Sequence, residues 1–426
     1  MLYYFVKYPM SFAFLIYFRK VFRANLHTVP KGKPVIFAVN HPTAFIDPVM
    51  VATYMGPTVH FILRGDVFTS RIIKWILASL RTVPIFRFRD GFESLRRNQE
   101  TFDFCYRLLR DNKPVLILAE GHVLHAKRLK PVQKGVARMA FGAYDAYGQE
   151  DTLIVPVGVN YTDSDRFRSY AMIEYGEAIA LKDYLELYRE DERKAIKQLT
   201  DEIQKRMRRH IVHIEDDEDA PKVDQLLEIN RNSRREPSLP PFSRDRQFLH
   251  REIRVAEAVN AMSDEEKEDL FDKLEVYQSD LDAQQVADLG VAQPRYYNFF
   301  NSLSLVLGFL PFVVGVALNA LPVWFASQWT NKNIRRIEFR ASILVGLGKI
   351  SYELYWILCI VLAAVLGGWP WWLLALLMPA LGYFSVQYRD LYERWSVARR
   401  ASRLGKEKLL QLQHRRNELL TALVSQ

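Results

Sequence analysis

V-I-F-A-V-N-H-P-T-A-F-I-D-P, residues 35–48, decides how this chain is read. An apolar run rich in β-formers leads up to Asn40. Such a run, bounded by turn residues, reads as a buried strand. His41 follows at once, and Asp47 comes six residues later, just ahead of Pro48. The strand exit therefore carries an imidazole and a carboxylate that a turn can bring together. A histidine held by a carboxylate is a general base able to take a proton from an alcohol. The spacing alone carries little, because His-x5-Asp recurs at His60/Asp66, His210/Asp216 and His213/Asp219. The first of these lies in an apolar run, and the other two in a charged, solvated segment. Only His41 has a strand before it, Asn40 and Pro42 beside it, and an Asp-Pro step closing the loop.

Outward from this stretch, residues 34–179 alternate short apolar runs with helical patterns. Strands are expected at 34–39, 59–63, 83–86, 114–118, 153–160 and 171–175. Helices are expected at 44–54, 70–80, 92–110 and 132–147. Apolar strands separated by helices predict an α/β fold, a mostly parallel sheet flanked by helices. Ligand sites in such folds gather outside the carboxyl ends of the strands. Asn40-His41, Arg64, Arg87 and Glu120 all fall just after expected strands.

At 426 residues the chain exceeds one ordinary domain, and its net charge of +9 points to anionic partners. Abundant aromatics and long apolar runs near the C-terminus favour anionic membrane lipid over nucleic acid, for which no module is recognisable. Cys105 sits in a helical pattern and Cys359 in an apolar run. A disulfide framework is not expected, and a reducing cytosolic face fits.

Residues 1–26 read as an interfacial membrane helix. Tyr3, Tyr4, Tyr8, Phe12, Tyr17 and Phe18 suit the headgroup boundary, and packing against the protein core is the competing reading. Arg19, Lys20 and Arg23 follow the apolar stretch rather than precede it, so a cleaved signal peptide is not expected. Residues 27–214 form the expected catalytic domain. Residues 215–295 read as a charged helical linker, with an acidic run at 215–219 and a proline-rich stretch at 237–241. Residues 296–388 read as membrane-embedded helices and 389–426 as a basic C-terminal helix.

Within the membrane region, 299–321 is apolar around Pro311. Two further apolar segments, 354–366 and 371–383, flank G-G-W-P at 367–370. Lys332, Arg335, Arg336 and Arg340 follow the first segment. Arg389, Arg394, Arg399, Arg400, Arg403 and Lys406 follow the last. Basic residues flanking spans stay cytosolic, so each part should cross an even number of times. The Pro311 segment is expected to be re-entrant and the later pair a hairpin, with three plain spans as the rival. A membrane location follows, the catalytic domain on the cytosolic face.

Further blocks lie downstream: F-I-L-R-G-D-V-F at 61–68, V-P-I-F-R-F-R-D-G at 83–91, L-A-E-G-H at 118–122, L-K-P-V-Q-K-G-V-A at 129–137 and I-V-P-V-G-V at 154–159. In this order they resemble the glycerolphosphate acyltransferase family, which includes lysophosphatidate and glycerol-3-phosphate O-acyltransferases. The resemblance covers residues 34–176. The His-Asp spacing is one residue longer than the family's common form. It is similar to the variant in membrane glycerol-3-phosphate/dihydroxyacetone-phosphate acyltransferases, which also carry C-terminal membrane segments. Ala119 stands where the family usually has proline, and His122 where it often has a threonine or small residue.

The resemblance implies transfer of a fatty acyl group from acyl-CoA or acyl-carrier protein to glycerol-3-phosphate or lysophosphatidate. It implies that His41 is the base, oriented by Asp47, and that Arg87 pairs with the acceptor phosphate. Arg64 and Arg89 are further candidates for substrate binding. Glu120 and Gly121 would hold the glycerol region, Lys134 would add positive charge, and Pro156 would shape the pocket wall. No metal or prosthetic group is implied. His122 and His125 have the spacing of weak metal ligands but lack a third partner, and they read as structural. Two rival readings stand: acylation of another lysolipid or aminolipid, and a non-catalytic lipid-binding or tethering protein.

Overall fold

The computed structural model describes residues 2–55, 58–86 and 92–423. The chain divides into two units, the first comprising Met1–Val212, Pro241–Leu249 and Arg336–Ser342. Helix α1 (Leu2–Tyr17) opens it, followed by β1 (Lys20–Ala24), β2 (Val35–Val39), α2 (Ile46–Tyr54), β3 (His60–Arg64), α3 (Arg71–Ser79) and β4 (Thr82–Ile85). Next come α4 (Phe92–Arg110), β5 (Val115–Leu118), α5 (Gly135–Tyr147), β6 (Leu153–Tyr161), β7 (Tyr170–Tyr175), β8 (Ile179–Ala180), α6 (Leu185–Glu190) and α7 (Glu192–Arg208). Among the described residues the sheet runs β4-β3-β5-β2-β6-β7-β1-β9, with β8 beside β6 and β9 at Phe242–Ser243.

Strand β2 is central because every one of its residues is apolar and buried. It is parallel to β5 and to β6, with Val39 opposite Leu118 and Val157. β3 and β4 continue the parallel half of the sheet, whereas β7 turns antiparallel to β6. Ile36 and Ala38 point into a core built with Cys105 and Leu109 of α4, Ala140 and Phe141 of α5, and Leu199 and Ile203 of α7. Strand alternation turns Val35, Phe37 and Val39 to the opposite face. All six expected strands are present.

Two expectations for this unit change. Helix α1 stops at Tyr17, and Lys20–Ala24 is a strand parallel to β7. Its cations disguise it: the Arg23 guanidinium stacks over Phe242 at 4.4 Å, so its stem lies along apolar surface. Helix α1 itself divides its aromatics. Phe14 and Tyr17 are buried in the protein, while Tyr4, Phe5 and Tyr8 are exposed.

The second unit comprises His213–Pro240, His250–Arg335 and Ile343–Gln426. Its helices are α8 (Ala220–Asn232), α9 (Gln247–Ala261), α10 (Asp264–Ala283), α11 (Asp288–Ala292), α12 (Phe299–Asn333), α13 (Ile337–Leu366), α14 (Trp369–Ser402) and α15 (Lys406–Ala422); the first residues of α9 and α13 belong to the first unit. The expected linker and basic tail are here one folded body. Leu270, Leu274, Tyr277 and Leu281 form a buried stripe along α10, at helical spacing beneath a charged surface. Asp288 is the polar hub, accepting from Tyr277 at 2.7 Å, from Asn232 at 2.9 Å and from Arg416 of α15 at 2.8 Å.

Helices α12, α13 and α14 are each long and apolar enough to cross a membrane. The expectation of a re-entrant turn at Pro311 fails, since α12 runs unbroken through Pro311 and Pro322. Proline is tolerated in apolar helices when neighbouring helices support the backbone. Here α14 packs closely along α12: a side chain at Gly315 would meet the Leu381 carbonyl at 2.5 Å, and Asn319 donates to Met378 O at 3.1 Å. Helix α13 breaks at Gly367-Gly368, both with positive φ, and Trp356 of α13 donates to Ala375 O of α14 at 2.8 Å. The expected boundary at 389 falls inside α14, which continues to Ser402.

Candidate active site

The parallel strands β2, β5, β3 and β6 release His41, Glu120, Gly65 and Thr162 at the same edge of the sheet. Asn40 prolongs β2 by one step with its side chain. Its amide accepts from Val159 N at 2.7 Å and donates to Val159 O at 2.9 Å, copying a ladder pair. The chain then leaves the sheet, and His41 is presented at its exit.

Asp47 lies in the first turn of α2, where a carboxylate also meets the favourable end of the helix dipole. It is fully buried and receives four hydrogen bonds. Oδ2 accepts from Thr43 N at 2.8 Å and lies 2.9 Å from His41 Nδ1. Oδ1 accepts from Thr43 Oγ1 at 2.6 Å and from the Tyr161 hydroxyl at 2.9 Å. Four donors around one carboxylate hold it in one orientation. With Nδ1–H committed to Asp47, the tautomer leaves the Nε2 lone pair as the proton acceptor. Among the described residues Nε2 has no hydrogen-bond partner. Burial and the Asp47 charge push the Tyr161 hydroxyl well above its usual pKa, so it remains a donor.

Glu120 joins the site from β5. Its Oε1 accepts from the His41 backbone N–H at 3.1 Å. Burial pushes its carboxyl up to about 7, and the nearby Asp47 charge acts in the same direction against the His41 N–H. Gly121 turns the chain with φ of +74°. Only glycine takes this conformation cheaply, and a Cβ here would also press on Gln133 Cγ at 3.2 Å. The turn is closed by Gln133 N donating to Ala119 O at 2.8 Å, which places Lys134, at the start of α5, next to it.

The remaining expected residues are more dispersed. Arg64 is at the exit of β3, exposed and paired with Asp66. Pro156 is in the sheet interior opposite Ala38, not at a strand exit. Arg87 and Arg89 lie outside the described residues. His125 bonds Ser164 Oγ at 2.8 Å. His60, the rival His-x5-Asp, is buried in β3, where desolvation and the Arg81 charge push it down to about 4. Thr43 and Tyr161 were not anticipated. A hydroxyl two residues after the histidine was the available sign for Thr43; Tyr161 depends on the β2–β6 pairing.

The Acyltransferase family model matches residues 20–160. Two proteins of Saccharomyces cerevisiae are similar to this chain. One is glycerol-3-phosphate O-acyltransferase 2, 33% identical over 133 residues, which are 31% of this chain and 17% of that protein. The other is glycerol-3-phosphate O-acyltransferase 1, 37% identical over 100 residues, 23% of this chain and 13% of that protein. The similarity thus spans less than a fifth of either relative. Among solved structures, the 1-acyl-sn-glycerophosphate (LPA) acyltransferase of Thermotoga maritima matches with a TM-score of 0.34 at 14% identity, covering 47% of this chain and 79% of that one.

Proposed function

We propose, from the match of residues 20–160 to the Acyltransferase family model, that this protein is a membrane-bound O-acyltransferase of glycerophospholipid synthesis. It moves a fatty acyl group from a CoA or carrier-protein thioester to glycerol-3-phosphate or 1-acyl-glycerol-3-phosphate. One observation carries the reading: His41 Nδ1 is held 2.9 Å from a carboxylate that three other donors fix in place. That arrangement leaves Nε2 to act as a base at the exit of the central strand.

In this mechanism Nε2 takes the proton of the acceptor hydroxyl as its oxygen attacks the thioester carbonyl. The C–O bond forms, the C–S bond breaks, and the imidazolium returns the proton to the departing thiolate. Asp47 stabilises the transient imidazolium. A positioned base of this kind contributes about 10²–10⁴-fold. No acyl-enzyme is formed, consistent with the lack of a G-x-S-x-G elbow in the sequence. We assign the acceptor phosphate to Arg87, with Arg89, Arg64 and Lys134 as further candidate cations; a guanidinium fork suits a phosphate better than an ammonium does. Both yeast relatives are named for glycerol-3-phosphate, which favours that acceptor over lysophosphatidate.

The test is an assay of purified protein in liposomes with a labelled acyl thioester, CoA or carrier-protein bound, offering each acceptor separately. Product from glycerol-3-phosphate that drops by at least about 100-fold in His41→Ala is the expected result. Folded protein that releases no thiol with either acceptor and either donor would overturn the reading.

A further inference from the structure

The loop between His41 and Asp47 has an unusual source of support. Helix α2 begins without a side-chain cap from its own N-cap residue, Phe45. Backbone N–H groups at a helix start must find partners somewhere. Each one along this loop can be traced. Thr43 N donates to Asp47 Oδ2 at 2.8 Å. Ala44 N donates to Glu338 O at 3.1 Å. Phe45 N and Ile46 N both donate to Ser342 Oγ, at 2.9 and 3.3 Å. Three of the four are thus held from the first turns of α13, almost 300 residues further along the chain.

The stretch 336–342 is fastened to the catalytic unit at other points too. Arg340 pairs with Asp165 at 3.2 Å, and the Phe339 ring packs 6.2 Å from the Phe45 ring. Ser342 is buried, and Asp47 begins one residue after the second N–H it accepts. The start of α2, the helix that carries Asp47, is therefore held where α13 leaves the first unit.

We infer that Ser342 is a positioning residue for acyl transfer: it caps α2 in place of a local residue and so aligns Asp47 with His41. It touches no substrate. This rests on the proposed acyltransferase reading, and turnover by the unaltered protein is the control that separates the two; if that protein is inactive, the function fails first.

The experiment uses the full chain in liposomes and compares Ser342→Ala, Ser342→Cys and Ser342→Thr. A cap lost from a site that must keep sub-ångström geometry is expected to lower kcat about tenfold in Ser342→Ala, with KM for both substrates within about twofold. Threonine keeps the hydroxyl and should restore at least half of kcat; cysteine, a weaker acceptor, should fall between and carries the test if the alanine variant does not fold. Because Ser342 acts through Asp47, Ser342→Ala should cost less than about twofold in an Asp47→Asn background. Unchanged kcat in Ser342→Ala, an equal loss in both backgrounds, or no rescue by threonine would each overturn the inference.

Discussion

At the residue scale the site depends on two carboxylates in opposite circumstances. Asp47 is buried but has four donors; Glu120 is buried with the His41 N–H as its strongest support. The folded state raises Glu120 from 4.5 to about 7, with burial as the main cause. Between those values the folded state holds more protons than the unfolded one, so stability is fully present below 4.5 and falls as pH rises through about 7. At 1.36 kcal/mol per unit the loss is about 3 kcal/mol. Glu120→Gln retains an amide oxygen for the His41 N–H and has no proton to lose. Its thermal unfolding at pH 8 should therefore approach that at pH 5, while the parent protein should melt lower at pH 8. Parallel pH profiles for the two proteins would show that Glu120 does not titrate as assigned. His41, Asp47 and Glu120 were legible in the sequence because each follows a strand or closes a short loop. Thr43, Tyr161 and Ser342 were not. Hydroxyl side chains are common everywhere, and these three act through pairings fixed by sheet register or by a helix far along the chain.

At the element scale, β6 links the site to the segment behind it. Asn160 donates to His210 O at 2.9 Å and accepts from Val212 N at 2.9 Å. Gly158 makes that approach possible: a Cβ there would sit 2.0 Å from the His210 carbonyl oxygen. Since backbone cannot step aside as a flexible side chain can, Gly158→Ala should destabilise by about 2–4 kcal/mol. Gly135→Ala, where a Cβ meets nothing within 4 Å, should be neutral or slightly stabilising. Calorimetric melts of both variants compare the two sites, and an equal response would contradict the steric account. The same elements show where periodicity misleads. Strands β2 to β7 declared themselves through continuous apolar runs. β1 hid behind Lys20 and Arg23, and β9, two residues long, behind the proline-rich stretch that flanks it. The helices of residues 215–295 looked like linker because charged surface residues outnumber the buried stripe.

At the scale of the whole molecule, the chain returns twice to the first unit after leaving it, at 241–249 and at 336–342. β9 pairs with β1 on the first return, and Ser342 caps α2 on the second. Between those returns the only helix apolar enough to cross a membrane is α12, among the described residues. A chain held in one folded unit at both 249 and 336 crosses a bilayer an even number of times between them. Single cysteines at Arg295 and Lys332, in a background with Cys105 and Cys359 replaced by alanine, should react with an impermeant maleimide from the same face of sealed vesicles as a cysteine at Lys197. Labelling of 295 and 332 from opposite faces would show that the 336–342 contacts open in the membrane. Labelling of all three from one face would meet the even parity anticipated from the charges. Such sidedness has a consequence for the lipid itself. On the proposed reading, an acyltransferase whose site and anchor share one face leaves each new acylated glycerophosphate in that leaflet alone, and growth of the opposite leaflet waits on a separate transbilayer step.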